Sequence, residues 1–333
     1  MMSKSQNGYV FITVAVMVTI LISSLTIAIS NQNKNIELIK NYEKLTIIEE
    51  EVSAVELVIT EHLNNNFENY SNLLTKTDFQ RNYETPNDAK ISVTLKSNDN
   101  CFNINSLFYK NSSNEIVINN FELKRLNEIF SKLKIDTKII NFILDWIDTD
   151  KINHQNNKED LEYQKRNIDW FPRNYFAVSN IELMMIPRIA EINKVVNDLL
   201  CVNLYNNKIN ILNMSSQKLG YFFPFLSEKN AIDLSYIISK DIWPNSNQKN
   251  RTEKNISNLQ KEIEQILRRP LELNEQQYLK TISFKSKSIK AQIIYEDKSG
   301  TQYFSSSKYE VDSDNIVKLI YRYGPFKKNL LKI

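Results

Sequence analysis

Residues Tyr9 to Ser30, YVFITVAVMVTILISSLTIAIS, form 22 consecutive positions without a charge. A helix of that length rises about 33 Å, enough to cross a hydrocarbon core of about 30 Å. The eight residues before it, MMSKSQNG, carry one basic side chain, Lys4. A cleaved secretory signal would have an apolar stretch of only about 7–15 residues. The reading is therefore either a plain signal anchor or a segment cut at Gly8 and kept as an anchor. No proline precedes Pro86, and no glycine lies between Gly8 and Gly220. After a polar stretch, Leu38, Tyr42, Leu45, Ile48, Val52, Val55 and Ile59 follow at helical spacing. This predicts one long helix from about 9 to 64, apolar all round at first and then one-sided. A coiled coil and a helix lying on a sheet fit that stripe equally well.

Absent residue types narrow the chemistry. The chain has four glycines, two histidines and two cysteines, with a formal net charge of +3. So few glycines cannot build a phosphate-cradling loop. Two histidines and two cysteines cannot supply an HExxH or Cys-based zinc centre. The near-balance of charge argues against a nucleic-acid surface. An anchored hydrolase is disfavoured for want of a nucleophile–base set.

Ile91–Leu95 alternates as a strand, with a turn at Asn98–Asn100; residues 65–90 read as polar and loop-rich. Helical periodicity covers 121–145, broken at Ser131–Asp136, and then 179–200, 215–240 and 252–268. Three alternating segments, Lys287–Tyr295, Thr301–Tyr309 and Asn315–Tyr323, close the chain. Val317, Leu319, Tyr321 and Tyr323 are expected on one face of the last. The order implies a β-domain interrupted by a large helical insertion.

A short basic leader ending in glycine, followed by a hydrophobic-to-amphipathic helix, resembles the type IV pilins and type II secretion pseudopilins. The resemblance implies cleavage between Gly8 and Tyr9 by a prepilin peptidase, with methylation of the new terminus. It places Thr13 where most members carry Glu. That acid neutralises the terminal amine of a neighbouring subunit, since an unpaired charge in hydrocarbon costs several kcal/mol. Thr13 therefore points to a subunit at a fibre tip.

Further stretches resemble the general secretion pathway protein K family: Phe102–Leu107 (FNINSL), Asp145–Asp150 (DWIDTD), Glu159-Asp160 with Tyr163, Ser179–Leu183 (SNIEL), Leu212–Ser216 and Thr281–Phe284. The resemblance implies an α+β, pilin-like fold: a long N-terminal helix packed on an antiparallel sheet, with a large inserted all-α domain containing helix-hairpin-helix (SAM-like) units. Expected boundaries are a leader at 1–8, a transmembrane helix at 9–30, and the amphipathic helix and first strand at 31–103. The insert follows at 104–280, a β-meander at 281–325 and a tail at 326–333. The implied role is a minor pseudopilin that caps the pseudopilus and initiates it with I- and J-type partners. It would span the inner membrane once, with its globular part in the periplasm. A minor type IV pilin is the alternative.

Acidic residues crowd 145–162. A loop of carboxylates suits calcium, which takes six to eight oxygen ligands, and the family resemblance implies calcium in the helical domain. Asp148, Asp150, Glu159 and Asp160 are the expected ligands, with Asp145 a capping or ion-pair residue; the alternative is a solvated loop balanced by Lys151, Lys158, Lys165 and Arg166. In an oxidising compartment Cys101 and Cys201 either pair or stay as buried thiols. Residues 209–236 resemble a helix-hairpin-helix unit, but its hairpin, Phe223–Ser227, lacks glycine. That reads as structural, with no nucleic-acid partner.

Overall fold

A computed structural model describes residues 5–74, 78–149, 172–189, 198–212, 214–240 and 251–327, with side chains from Val14 onward except at 68, 71–73 and 251–253. The first helix, α1, runs Ser5–Leu74, with one non-helical residue at Asn66. The chain divides into two compact units, Met1–Val55 and Glu56–Ile333.

The second unit is organised by a five-stranded antiparallel sheet of β1 (Phe79–Glu84), β2 (Lys90–Ser97), β9 (Ser288–Glu296), β10 (Gln302–Val311) and β11 (Val317–Lys327), in that spatial order. Its register aligns Ile91 with Tyr295, Val93 with Ile293 and Leu95 with Ala291. It continues through Ala291 to Ser307 and Ile289 to Tyr309. Cross-strand partners share a face, so these residues form one largely apolar face. The end of α1 packs there, because Glu56 accepts hydrogen bonds from Ser307 Oγ and from Arg322 Nη1, the latter at 3.2 Å. Asn64 also accepts from the Val317 amide at 2.7 Å. Ile59 and Leu63, on the same side of the helix as Glu56, are buried. Of the two readings of the stripe, this part lies on a sheet.

Three departures from the sequence reading concern this sheet. Residues 65–90 hold the end of α1 and the edge strand β1. β11 continues to Lys327, through the boundary expected between meander and tail. Its four residues do not share a face: Leu319 pairs with Tyr309, but Tyr321 pairs with Lys308. One extra residue, Ile320, is bulged out between them and reverses the alternation. A second bulge follows at Gly324, whose φ is +100° and where a Cβ would lie 2.5 Å from the Phe304 carbonyl oxygen.

Between β2 and β9 lies the insert. Its helices among the described residues are α2 (Asn120–Lys132), α3 (Ile139–Ile147), α4 (Asn180–Met185), α5 (Ser216–Phe222), α6 (Glu228–Ser239), α7 (Arg251–Leu267) and α8 (Leu273–Lys280). It is not all-α. Among the described residues, three two-stranded ladders join β3 (Phe102–Asn103) to β6 (Leu200–Cys201), β4 (Phe108–Lys110) to β5 (Ile116–Ile118), and β7 (Ile209–Asn210) to β8 (Ile282–Ser283). Phe102 thus belongs to the insert, not to the first strand of the sheet domain. The helix expected over 179–200 stops at Met185, two residues before Pro187, whose ring disfavours helical backbone in the residue before it.

One apolar core serves the insert, from Phe102 through Phe130, Trp146 and Phe222 to Phe284. Arg125 is fully buried beside it. Its guanidinium donates to Thr281 Oγ1 at 2.6 Å and lies over the rings of Phe222 and Tyr278. In the hairpin between α5 and α6, Phe223 is buried and Lys132 donates to the Gly220 carbonyl at 2.7 Å.

Candidate functional site

Two parts of the chain carry functional content, and the first is the N-terminal helix. Val14, Met17, Leu21 and Leu25 are 54–67% exposed. The apolar part of α1 reaches a mean hydropathy of 2.0 and is, by length and composition, a candidate single membrane span, the one found among the described residues. Four of its hydroxyls are satisfied inside the helix. Thr19 donates to the Ala15 carbonyl, Ser23 to Thr19, Ser24 to Leu21 and Thr26 to Ile22, all at 2.8–2.9 Å. A span in lipid needs this, because no water is present to take an unmet donor. Gly8, Tyr9 and Thr13 lie outside the residues whose side chains are described.

The second part is the junction of insert and sheet, where the motif residues meet. Cys101 and Cys201 are joined by a disulfide, with Cα atoms 5.8 Å apart. Beside it, Asn103 takes both a donor and an acceptor role toward one segment. Its Nδ2 donates to the Asn203 carbonyl at 2.9 Å, and its Oδ1 accepts from the Asn203 amide at 2.8 Å. Asn105 does the same with Ala177, at 2.8 and 2.9 Å. An asparagine side chain can mimic a peptide group in this way, which gives FNINSL its physical reason. Two other stretches also touch: Trp146 Nε1 of DWIDTD donates to Glu182 of SNIEL at 3.2 Å. Glu182 further accepts the Val178 amide and pairs with Arg173, completing the N-terminal cap of α4.

Asp99, fully buried, is the hub of this junction. Its Oδ1 accepts from Ser97 Oγ at 2.8 Å and Ser286 Oγ at 3.2 Å. Its Oδ2 accepts from the Lys287 amide at 2.7 Å and Asn206 Nδ2 at 3.1 Å. Burial pushes its carboxyl up to about 6, against the pull of these donors. On β10, Lys308 pairs with Glu310 at 2.6 Å, both fully buried. Lys308 Nζ also donates to the Val202 carbonyl, while Glu310 accepts the amides of Leu204 and Tyr205 at 2.8 and 2.9 Å. Burial lowers the Lys308 ammonium, opposed first by Glu310. Sequence reading missed these three ionisable residues. Lys308 and Glu310 have the spacing of a strand face turned to solvent, and the loop over them comes from a hundred positions away.

Of the expected calcium ligands, Asp148 is the residue that ends α3, its amide donating to the Leu144 carbonyl at 3.0 Å. Asp150, Glu159 and Asp160 lie outside the described residues. Among the described residues no three His, Cys, Asp or Glu side chains gather as metal ligands.

Residues 100–202 match the family model described as type II secretion system (T2SS), protein K. That stretch holds FNINSL, DWIDTD and SNIEL, and both cysteines. Among solved structures, the chain resembles one in the GspK-GspI-GspJ complex of the enterotoxigenic Escherichia coli type 2 secretion system. The likeness covers 83% of this chain and 96% of that one, at 14% identity and a TM-score of 0.54. No curated protein sequence matches it. Residues 100–202 are thus similar to a type II secretion system protein K domain, within a chain whose α+β fold is that of the solved structure.

Proposed function

We propose that this chain is the tip subunit of a type II secretion pseudopilus. Residues 9–30 hold it in the inner membrane and residues 56–333 form its periplasmic head. With I- and J-type minor pseudopilins it starts the fibre and caps it. The single observation that carries this is the protein K domain at 100–202, inserted between two adjacent strands of a pilin-like sheet. Thr13 agrees with it. A subunit with none stacked above has no incoming amine to neutralise, so it needs no carboxylate in the bilayer. The role is one of assembly rather than catalysis.

The test uses the full chain in membranes with its pseudopilin partners and the processing peptidase. Detergent-solubilised protein is expected to bring down the I- and J-type partners together, and mass spectrometry to show a chain beginning at Tyr9. A chain that retains residues 1–8, or captures neither partner, would sink the reading. Calcium binding is proposed on the family resemblance alone, with Asp148 joined by Asp150, Glu159 and Asp160. A melting temperature unmoved by calcium would remove it.

A further inference from the structure

The junction of insert and sheet is made of charge, although the cores on either side are apolar. Three ionisable groups, Asp99, Lys308 and Glu310, are buried there together. A buried ion pair is seldom worth more than well-packed hydrophobic groups of the same volume. Its distinctive gift is geometric, since each charge accepts a partner in one arrangement only. Here the arrangement ties separate stretches of chain. Asp99 holds the outgoing strand through Ser97, the returning strand through Ser286 and the Lys287 amide, and the 202–208 loop through Asn206. Lys308 and Glu310 hold the same loop to the middle of the sheet through the Val202 carbonyl and the amides of Leu204 and Tyr205.

From this geometry we infer that Asp99 and the Lys308–Glu310 pair are positioning residues, fixing the orientation of the insert on the sheet so that both present one composite surface to the partner subunits. The partner half of this statement rests on the tip-subunit reading above. The orientation half stands on the junction itself. An apolar junction of equal area would hold the insert but let it slide. A polar one favours the register in which its donors and acceptors meet.

Asp99 also offers an internal control. The Oδ2 contacts named are nitrogen donors and the Oδ1 contacts are serine hydroxyls that can turn to accept, and the Asn210 side chain also bonds the carboxyl. Asp99→Asn can therefore keep the carbonyl toward Lys287 and Asn206 and donate its amide to the serines. Asp99→Ala can do neither.

The experiment places spin labels at Asn82→Cys on β1 and Lys229→Cys on α6, both exposed, in the full-length chain. The native cysteines are bonded to each other, so the labels go to the new ones. Double electron–electron resonance reads the distance across the junction, and capture of the I- and J-type partners is measured on the same preparations. In Asp99→Ala the distance distribution is expected to at least double in width and partner capture to fall at least tenfold, with Asp99→Asn restoring both. If Asp99→Ala does not fold, Lys308→Met with Glu310→Gln replaces it, since Gln keeps an acceptor for the two loop amides. It is expected to widen the distribution with a melting temperature within a few degrees of the unaltered protein. A distribution as narrow as the unaltered one in a folded variant would overturn the inference. Failure of the unaltered protein to capture partners would instead strike the tip-subunit reading, and the width would still decide the orientation claim.

Discussion

On one face of the sheet, Ile91, Val93, Leu95, Ile289, Ala291 and Ile293 lie under the end of α1, with Glu56 as the acid among them. On the other face, β10 turns Lys308 and Glu310 toward the insert. The first contact is held chiefly by area removed from water, with polar ties only from Glu56 and Asn64. The second is held by matched donors and acceptors. Affinity between parts of a chain and alignment between them are thus supplied by different chemistry, on opposite sides of the same strands.

Neighbouring residues separate the two most sharply. Ile293→Ala opens a cavity on the helix face and is expected to cost about 2–5 kcal/mol in chemical denaturation. Gln292→Ala, one position away on the opposite face, is expected to change stability by less than about 0.5 kcal/mol. Equal losses would mean that the faces do not differ as described. Next in size, Cys101→Ser unties the loop of 100 residues beside the junction. It is expected to cost about 2–5 kcal/mol, read as a lower denaturation midpoint that added reductant does not lower further.

A pH titration sharpens the contrast from the polar side. Asp99 titrates at about 6 in the folded protein against 3.8 for the free carboxyl. Between those values the folded chain binds more protons than the unfolded one. The contribution of this group is therefore full below pH 4 and is lost as pH rises through 6, by about 2–3 kcal/mol. Subtracting Asp99→Asn melts from those of the unaltered protein at pH 4.5 and 7.5 isolates the slope; curves that run parallel would deny it. The smallest expected effect is Ser227→Ala, which removes the N-terminal cap of α6 from the Asn230 amide. It should cost about 1 kcal/mol without moving the pH profile.

Local pattern carried much of this architecture. The apolar stripe ending at Ile59, the alternation in β2 and β9, and the stretches FNINSL, DWIDTD and SNIEL were legible because neighbours within a few positions decide them. β1 was not, since FQRNYE lies at a sheet edge and exposes most of its residues. α8 was also missed, although Glu272 and Glu275 form a capping box at its start. Pro187, visible in the sequence, was the sign that the helix over 179–200 had to stop. The bulge at Ile320 and the burial of Lys308 are set by strands and loops far off in the chain, and no window of sequence contains them.

The position of the insert has a kinetic consequence. Ser97 and Ile289 are register partners, yet the whole insert separates them along the chain. Closing a loop of that length before anything rewards it is entropically slow. The insert can condense on its own apolar cluster first and bring its two stems together, as the β7–β8 ladder and the bond from the Lys287 amide to Asp99 do. On that route the central strands zip last, and the platform on which Ile59 and Leu63 settle is completed after the insert.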